Sequence, residues 1–129
     1  MTDERYERGM VVRRAVLGEE HVERAQAGTT EFTRDFQELI TRYAWGEIWT
    51  RPGIDRKTRS LLTIAILASL GRAEELRLHV RATRNTGATR DEVREALLQV
   101  AVYAGVPAGN AAFAQAAAVY RELDEEATP

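Results

Sequence analysis

The amino-acid sequence predicts an all-α fold, a single-domain bundle of about six helices. Apolar residues recur at three- and four-residue steps along most of the chain, and glycines and prolines fall between these periodic segments. The chain has 129 residues, of which 44% are hydrophobic and 29% charged, as is typical of one globular domain. We therefore expect a single domain over residues 1–129, with residues 124–129 as a frayed tail.

The first half of the chain predicts three helices. A charged helix over residues 3–17 would end at Gly18, and a short helix over residues 19–26 would follow it. A third helix, over residues 31–44, would end at Gly46 and the turn beyond it. Its spacing predicts an inner aromatic face, formed by Phe32, Phe36, Leu39, Ile40 and Tyr43.

Two further helices are predicted in the middle of the chain. Asp55 is a suitable N-cap for a helix over residues 56–70, and Gly71 would end it. Its own side chains are apolar on nearly all sides of the helix, which predicts a position at the centre of the bundle. The next helix, over residues 73–85, would end at Gly87.

The remaining part of the chain begins with a T-x-x-E capping box. Thr89 and Glu92 form this box ahead of an amphipathic series that Gly105 and Pro107 would terminate. The last helix, predicted over residues 110–122, is rich in alanine. Small side chains permit close helix approach, either in the core or between subunits.

Composition excludes several classes of protein. The 18 basic and 20 acidic residues are interspersed, so no basic stripe predicts a nucleic-acid partner. The absence of cysteine excludes disulfides, thiolate metal sites and thiol nucleophiles. The first residues are charged, and the longest apolar run, 61–70, is about half a membrane span. We expect a cytoplasmic protein that binds no membrane.

One candidate for chemistry is the helix over residues 73–85. Glu75 and His79 are four residues apart, one helical turn, and the histidine shares a side with apolar residues. A carboxylate there would orient and tune the imidazole, although a surface pair or a core histidine would have the same spacing. The other histidine, His21, lies among glutamates and is expected to be a solvated surface residue.

A second candidate is the W-G-E-I-W-T-R-P-G string. Trp45 and Trp49 flank Glu47 where a long helix must turn, which favours a pocket and a hydrophobic plug equally. Arg51 and Arg59 are candidate anion clamps, because a guanidinium matches a carboxylate bidentately, or else they are ordinary surface charges. No dinucleotide, P-loop, zinc-protease or serine-hydrolase motif occurs.

The string YAWGEIWTRPGIDRKTRSLLTIAILASLGRAEELRLHVRATRNTG, followed by LLQVAVYAGVPAGNAAF, resembles the 4-carboxymuconolactone decarboxylase family. The resemblance extends more weakly to the amino end. The wider alkylhydroperoxidase D-like superfamily includes disulfide reductases with a C-x-x-C motif followed by histidine. The corresponding positions here are Arg72, Glu75 and His79, so the thiols are missing while the histidine is retained.

The resemblance implies decarboxylation of 4-carboxymuconolactone to 3-oxoadipate enol-lactone in the protocatechuate branch of the β-ketoadipate pathway. It also implies an alkylhydroperoxidase D-like helical bundle that assembles as a homotrimer or hexamer, and a small dicarboxylate lactone as substrate. No cofactor and no metal are expected, because the lactone is its own electron sink.

Roles follow for the candidate residues. His79 would stabilise the developing oxyanion and deliver the proton, and Glu75 or Glu47 would orient it or supply the proton instead. Arg51 and Arg59 would bind the two carboxylates, with Arg72 as a rival. Trp45 would form an apolar wall.

Two other interpretations stay open on the sequence. One is a related lactone-binding or hydroperoxidase-like enzyme with a different small acid as substrate. The other is a helical assembly protein without catalytic activity, whose pocket would lack converging polar groups. Consumption of a butenolide by the purified protein would distinguish these possibilities.

Overall fold

The computed structural model describes residues 3–128, and its regular structure is helical throughout. No strand occurs among these residues, which confirms the all-α prediction. A π-helical segment, Thr41–Ile48, lies between α3 and α4. The α-helices are α1 (Glu4–Leu17), α2 (Glu19–Ala27), α3 (Arg34–Ile40), α4 (Arg56–Leu70), α5 (Ala73–Thr86), α6 (Arg90–Tyr103) and α7 (Val106–Ala127).

The chain divides into two compact units, residues 1–56 and residues 57–129. The first contains α1 to α3 and the π-helical segment, and the second contains nearly all of α4 together with α5 to α7. The single domain expected from the sequence remains a prediction.

In the first unit, α1 is capped at both ends, and its end at Gly18 is the one that the sequence predicts. The Tyr6 backbone N–H donates to the Asp3 carboxylate at 2.8 Å, which satisfies one of the free donors of the first turn. Gly18 ends the helix at a φ of 96°, a conformation that favours glycine. The buried face of α1 is formed by Gly9, Val12, Arg13 and Val16.

Two glycines bring α1 unusually close to the π-helical segment. A Cβ added at Gly9 would overlap the carbonyl oxygen of Thr41, and one added at Gly46 would overlap the carbonyl oxygen of Arg5. The two backbones therefore touch where any larger residue would separate them.

The sequence-based prediction that Gly46 ends the third helix is wrong. Helical structure continues to Ile48 in π geometry, and the Trp49 N–H donates to the Ala44 carbonyl, five residues back, at 3.0 Å. A glycine in a solvent-exposed helix lowers the stability of that helix. At Gly46, however, the absence of a side chain permits the close contact with α1. The tertiary contact thus overrides the local preference.

The predicted inner aromatic face of this region is not buried within the chain. Four of its five residues are exposed, and Ile40 is partly buried. Periodicity identified an apolar face correctly but not what covers it. The exposed fractions are 95% for Phe32, 60% for Phe36, 49% for Leu39 and 56% for Tyr43.

The second unit has a conventional helical core. The capping box predicted at the start of α6 is confirmed, since the Glu92 N–H donates to the Thr89 hydroxyl and the Thr89 N–H to the Glu92 carboxylate. Gly87 ends α5 at a φ of 85°, as expected. The core comprises Ile64, Ala68, Leu76, Val80, Val93, Leu97, Val100, Ala112, Ala116 and Val119.

The last helix is longer than predicted at both ends. Pro107 lies in its first turn, where the missing N–H costs nothing, so the helix begins before the predicted start at residue 110. The helix continues to Ala127 through part of the expected frayed tail. No helix in the described part of the chain, α7 included, is long and apolar enough to span a bilayer.

The helix α4 is buried on one face only, so the predicted position at the centre of the bundle is wrong for the chain by itself. Ser60, Ile64 and Ala68 form its buried face at steps of four residues. The opposite face is apolar but open, with exposed fractions of 51% for Leu62, 56% for Ile66 and 61% for Leu70. The chain itself buries only one face of this helix. The opposite apolar face would be buried only by contact with another molecule.

Candidate active site

Two tryptophans lie in and directly after the π-helical segment. Their rings stack with centroids 5.0 Å apart and planes inclined by 29°. Trp45 is only 7% exposed, whereas Trp49 is partly exposed. The stack therefore supports the plug interpretation for Trp45, and Trp49 presents more of its ring to a ligand.

Glu47 lies between these tryptophans in the sequence and is ion-paired with α1. Arg5 Nη1 donates to Glu47 Oε1 at 2.6 Å, and the two side chains are about half exposed. This hydrogen bond, and then the charge of Glu47 and that of Asp3, raise the pKa of Arg5. This ion pair fixes the Glu47 carboxylate relative to α1 through Oε1, and Glu47 Oε2 takes no part in the ion pair.

Arg51 follows the π-helical segment in the predicted turn. Its backbone N–H donates to the Ile48 carbonyl at 3.1 Å, and its side chain is exposed. Within residues 3–128 the guanidinium forms no ion pair with an acidic side chain. Arg51 is therefore available to an anion, although burial does not preorganise it.

In the second unit, α5 carries His79 and Glu75. His79 is 9% exposed and belongs to the buried face of the helix, as the sequence indicates, among Leu76, Val80 and Thr83. Glu75 lies one turn earlier and is exposed. The two side chains therefore differ in exposure: the imidazole is buried, whereas the carboxylate faces solvent.

The two other candidate arginines of this unit are Arg59, which lies on α4, and Arg72, which directly precedes α5. Arg59 is partly buried on α4, a helix that the Thr86 hydroxyl joins to α5 by donating to Ser60 Oγ at 3.0 Å. Arg72 is exposed immediately before α5, where it lines a cavity of about 240 Å³ with residues of α4 and α7. Arg59 is thus the more buried of the two candidate anion ligands, and the role of each stays a prediction.

Sequence reasoning missed a buried arginine in the first unit. Arg13 is 5% exposed and lines a polar cavity, although it is one of two adjacent arginines in a charged helix. The signal was present, because Arg13 follows Val12 and lies four residues after Gly9 on the buried face. His21, expected to be solvated, is partly buried, and burial lowers its pKa first, followed by the charges of Arg24 and Arg13.

Within each unit, the structure assembles part of the predicted set. Trp45 and Glu47 share one π-helical segment, and His79 and Glu75 share one helix. Among residues 3–128, no group of three or more histidine, aspartate or glutamate side chains is placed to hold a metal ion.

Comparison with known proteins identifies close relatives. The carboxymuconolactone decarboxylase family matches residues 34–118. A 4-carboxymuconolactone decarboxylase of Acinetobacter baylyi is 52% identical over 124 residues, covering 95% of this chain and 92% of that protein. A nitrosuccinic acid decarboxylase of Metarhizium robertsii is 51% identical over 102 residues, covering 79% and 71%. An uncharacterized 15.0 kDa protein of Paracoccus denitrificans is 40% identical over 84 residues, covering 64% and 63%.

Proposed function

The chain belongs to the carboxymuconolactone decarboxylase family, and from this premise we propose that it converts 4-carboxymuconolactone to 3-oxoadipate enol-lactone and CO₂. The observation that carries the proposal is the 52% identity to a 4-carboxymuconolactone decarboxylase over 95% of the chain. The proposed role is a step in the protocatechuate branch of the β-ketoadipate pathway. Cytoplasmic localisation stays a prediction.

The proposed reaction needs no external electron acceptor. The substrate carries a carboxylate and an acetate arm on the ring carbon next to the ring oxygen. When the bond to that carboxylate breaks, CO₂ leaves and the electron pair delocalises through the ring double bond into the lactone carbonyl. A proton then forms a C–H bond at the carbon beside the carbonyl and restores the neutral lactone. We therefore propose that the enzyme uses neither a metal nor an organic cofactor.

We assign proton delivery and oxyanion stabilisation to His79. It is a titratable side chain on the buried face of α5, and an imidazole donates a proton near neutral pH. Burial of the side chain lowers the local dielectric and would strengthen an interaction with a developing oxyanion. Glu75, one turn away, is proposed to orient the imidazole through its exposed carboxylate.

Glu47 is the alternative proton donor. Its ion pair with Arg5 holds the carboxylate in place, and Oε2 remains for other contacts. Trp45 is proposed to exclude water through the apolar stack that it forms with Trp49.

Arg51 and Arg59 are proposed to bind the two substrate carboxylates. A charge-assisted hydrogen bond from a guanidinium is among the stronger polar contacts in proteins. Arg51 is exposed in a turn without an acidic partner among the described residues, and Arg59 is partly buried on α4.

We further propose that the chain works as a homo-oligomer, a trimer or a hexamer. The support is the exposed apolar surface of both units, such as Phe32 and Phe36 in the first unit and Ile66 in the second. Large apolar side chains exposed in this number are typical of proteins with subunit contacts. Light scattering after size-exclusion chromatography measures the mass, and a monomer at micromolar concentration would contradict the assembly.

Nitrosuccinate is a second candidate substrate. The relative named for that acid is 51% identical over 79% of this chain. In nitrosuccinate a carboxylate lies on the carbon that bears the nitro group, so departing CO₂ would leave its electrons in a nitronate. Both acids thus combine a carboxylate beside an electron sink with a second carboxylate on a short arm.

A direct comparison of the two substrates tests the proposal. Loss of the butenolide absorbance and release of CO₂ report on the lactone, and CO₂ release reports on nitrosuccinate. We expect the lactone to have the higher kcat/KM, with the rate unchanged after dialysis against a chelator. A higher kcat/KM for nitrosuccinate would assign the chain to the second reaction, and turnover of neither acid would contradict both.

A further inference from the structure

The first unit contains a charged side chain in an unusual environment. Arg13 is 5% exposed, and two neutral acceptors hold its guanidinium. Arg13 Nη1 donates to the Thr41 hydroxyl and Nη2 to the Gln37 side-chain oxygen, both at 3.1 Å. Its Nε is buried without a hydrogen-bond acceptor among residues 3–128. Three of the five guanidinium hydrogens therefore remain available.

No carboxylate of residues 3–128 forms an ion pair with this guanidinium. Among the described residues Arg13 forms no ion pair, whereas its neighbour Arg14 pairs with Glu19 and Glu23 at 2.5 and 2.6 Å. Burial lowers the pKa of Arg13, which expresses the cost of keeping the charge away from water. A buried guanidinium is ordinarily paired, since an isolated buried ion costs several kcal/mol. The environment of Arg13 is thus complementary to an anion.

A cavity of about 260 Å³ lies beside this arginine. It is smaller than the roughly 300–1,000 Å³ pockets of drug-sized ligands, so it suits a small molecule. Its charged lining residues are Arg13, Arg34 and Glu38, which leaves one net positive charge. The remaining lining is mostly polar and consists of Tyr6, Met10, Gln26, Thr29, Gln37 and Thr41.

We propose that this cavity is a binding site for a small carboxylate anion, with Arg13 and Arg34 as its cationic ligands. A planar carboxylate matches the geometry of a guanidinium. One net positive charge in the lining fits a monoanion better than a doubly charged phosphate. Gln26 and Thr29 supply hydrogen-bonding groups for a hydroxyl or keto substituent on the anion.

The site connects with the segment that carries the tryptophans. Thr41, which accepts from Arg13, is the first residue of the π-helical segment, and its own hydroxyl donates to the Gln37 carbonyl at 2.7 Å. An anion that fixes Arg13 would also fix the start of this segment. Both tryptophans of the chain belong to this region, Trp45 within the segment and Trp49 directly after it, so their fluorescence reports on occupancy.

Titration of the purified chain with acetate and with glycolate tests the proposal. Sodium chloride at equal ionic strength serves as the control. A ligand that binds only the folded state and is present at about ten times its Kd should raise Tm by roughly 5 °C. We expect this rise, together with a saturable change in tryptophan fluorescence, for the carboxylates and not for chloride. An equal rise in chloride would overturn the proposal.

Three variants locate the effect. Arg13→Met should abolish the rise in Tm with carboxylate, and Arg34→Gln should weaken carboxylate binding several-fold. Glu38→Gln should tighten it, because the acid that opposes the anion is removed. Arg34 is exposed and Glu38 partly exposed, so this pair decides the question even if Arg13→Met does not fold.

Two controls separate this site from the proposed active site and from general surface charge. Arg8→Gln removes an exposed α1 arginine outside the cavity and should leave the response to acetate unchanged. Arg59→Ala, a change in the proposed substrate-binding set, should also leave it unchanged. A response that survives Arg13→Met, or that Arg59→Ala abolishes, would contradict the assignment.

Discussion

Arg5 Nη1 donates to Glu47 Oε1 at 2.6 Å, so the first helix holds the carboxylate that lies between the two tryptophans. If Arg5 acts only through Glu47, its loss should matter only while Glu47 is present. We predict that Glu47→Gln lowers kcat about tenfold or more, that Arg5→Gln lowers it less, and that the double variant is no slower than Glu47→Gln. Steady-state kinetics measures this, with Arg8→Gln as the control. Additive losses would show that Arg5 has a separate role.

The close contact between Gly9 and the π-helical segment predicts an unusual sign for a glycine substitution. Gly→Ala within a helix ordinarily stabilises by about 0.5–1 kcal/mol. Here the new methyl group would overlap the Thr41 carbonyl, and we expect a loss of roughly 1–3 kcal/mol instead. Thermal unfolding checks it, with Gly53→Ala as the matched control because nothing lies within 4 Å of its added Cβ. A more stable Gly9→Ala variant would show that the two backbones lie further apart.

His79→Ala should lower turnover by a factor of about 10² to 10⁴, the usual range for a positioned acid or base. His79→Gln should do less damage, because an amide still donates a hydrogen bond to the lactone oxygen although it transfers no proton. Stopped-flow absorbance and a thermal melt of each variant separate loss of chemistry from loss of folding. Wild-type turnover by folded His79→Ala would leave the histidine a structural role.

Arg51→Ala and Arg59→Ala should weaken recognition of the dianion. Each change removes a charge-assisted contact of about 1.5–3 kcal/mol, so kcat/KM should fall about tenfold or more. Arg72→Ala is the comparison variant. Wild-type kinetics in folded Arg51→Ala and Arg59→Ala, with a loss in Arg72→Ala, would transfer the role to Arg72.

Local sequence signals predicted much of the helical framework. The Thr89 and Glu92 capping box and the stop at Gly87 act between neighbouring residues, and both occur where expected. Gly46 was misjudged because its effect depends on a contact with α1, which lies about forty residues away in the sequence. Local patterns carry no information about such an approach.

The candidate site shows the same division. The buried face of α5 follows from helical spacing, so His79 could be placed from the sequence. The exposure of Phe32 and Phe36 could not be predicted from the sequence, because periodicity identifies an apolar face but not the surface that packs against it. The burial of Arg13 was not predicted, because a charged residue is expected to be exposed. Only the folded arrangement shows that its partners are the neutral side chains of Thr41 and Gln37.

Decarboxylation of 4-carboxymuconolactone in heavy water, followed by NMR spectroscopy and by CO₂ release, is the decisive experiment for the proposed reaction. We expect one CO₂ for each lactone consumed and one deuterium on a single face of the carbon beside the carbonyl, because a fixed donor reaches only one side of the ring. With His79→Ala the residual product should carry deuterium on both faces, whereas Glu47→Gln should stay stereospecific. The reverse pattern would assign the proton to Glu47, and lactone left unconsumed by the wild-type protein would contradict the proposed function itself.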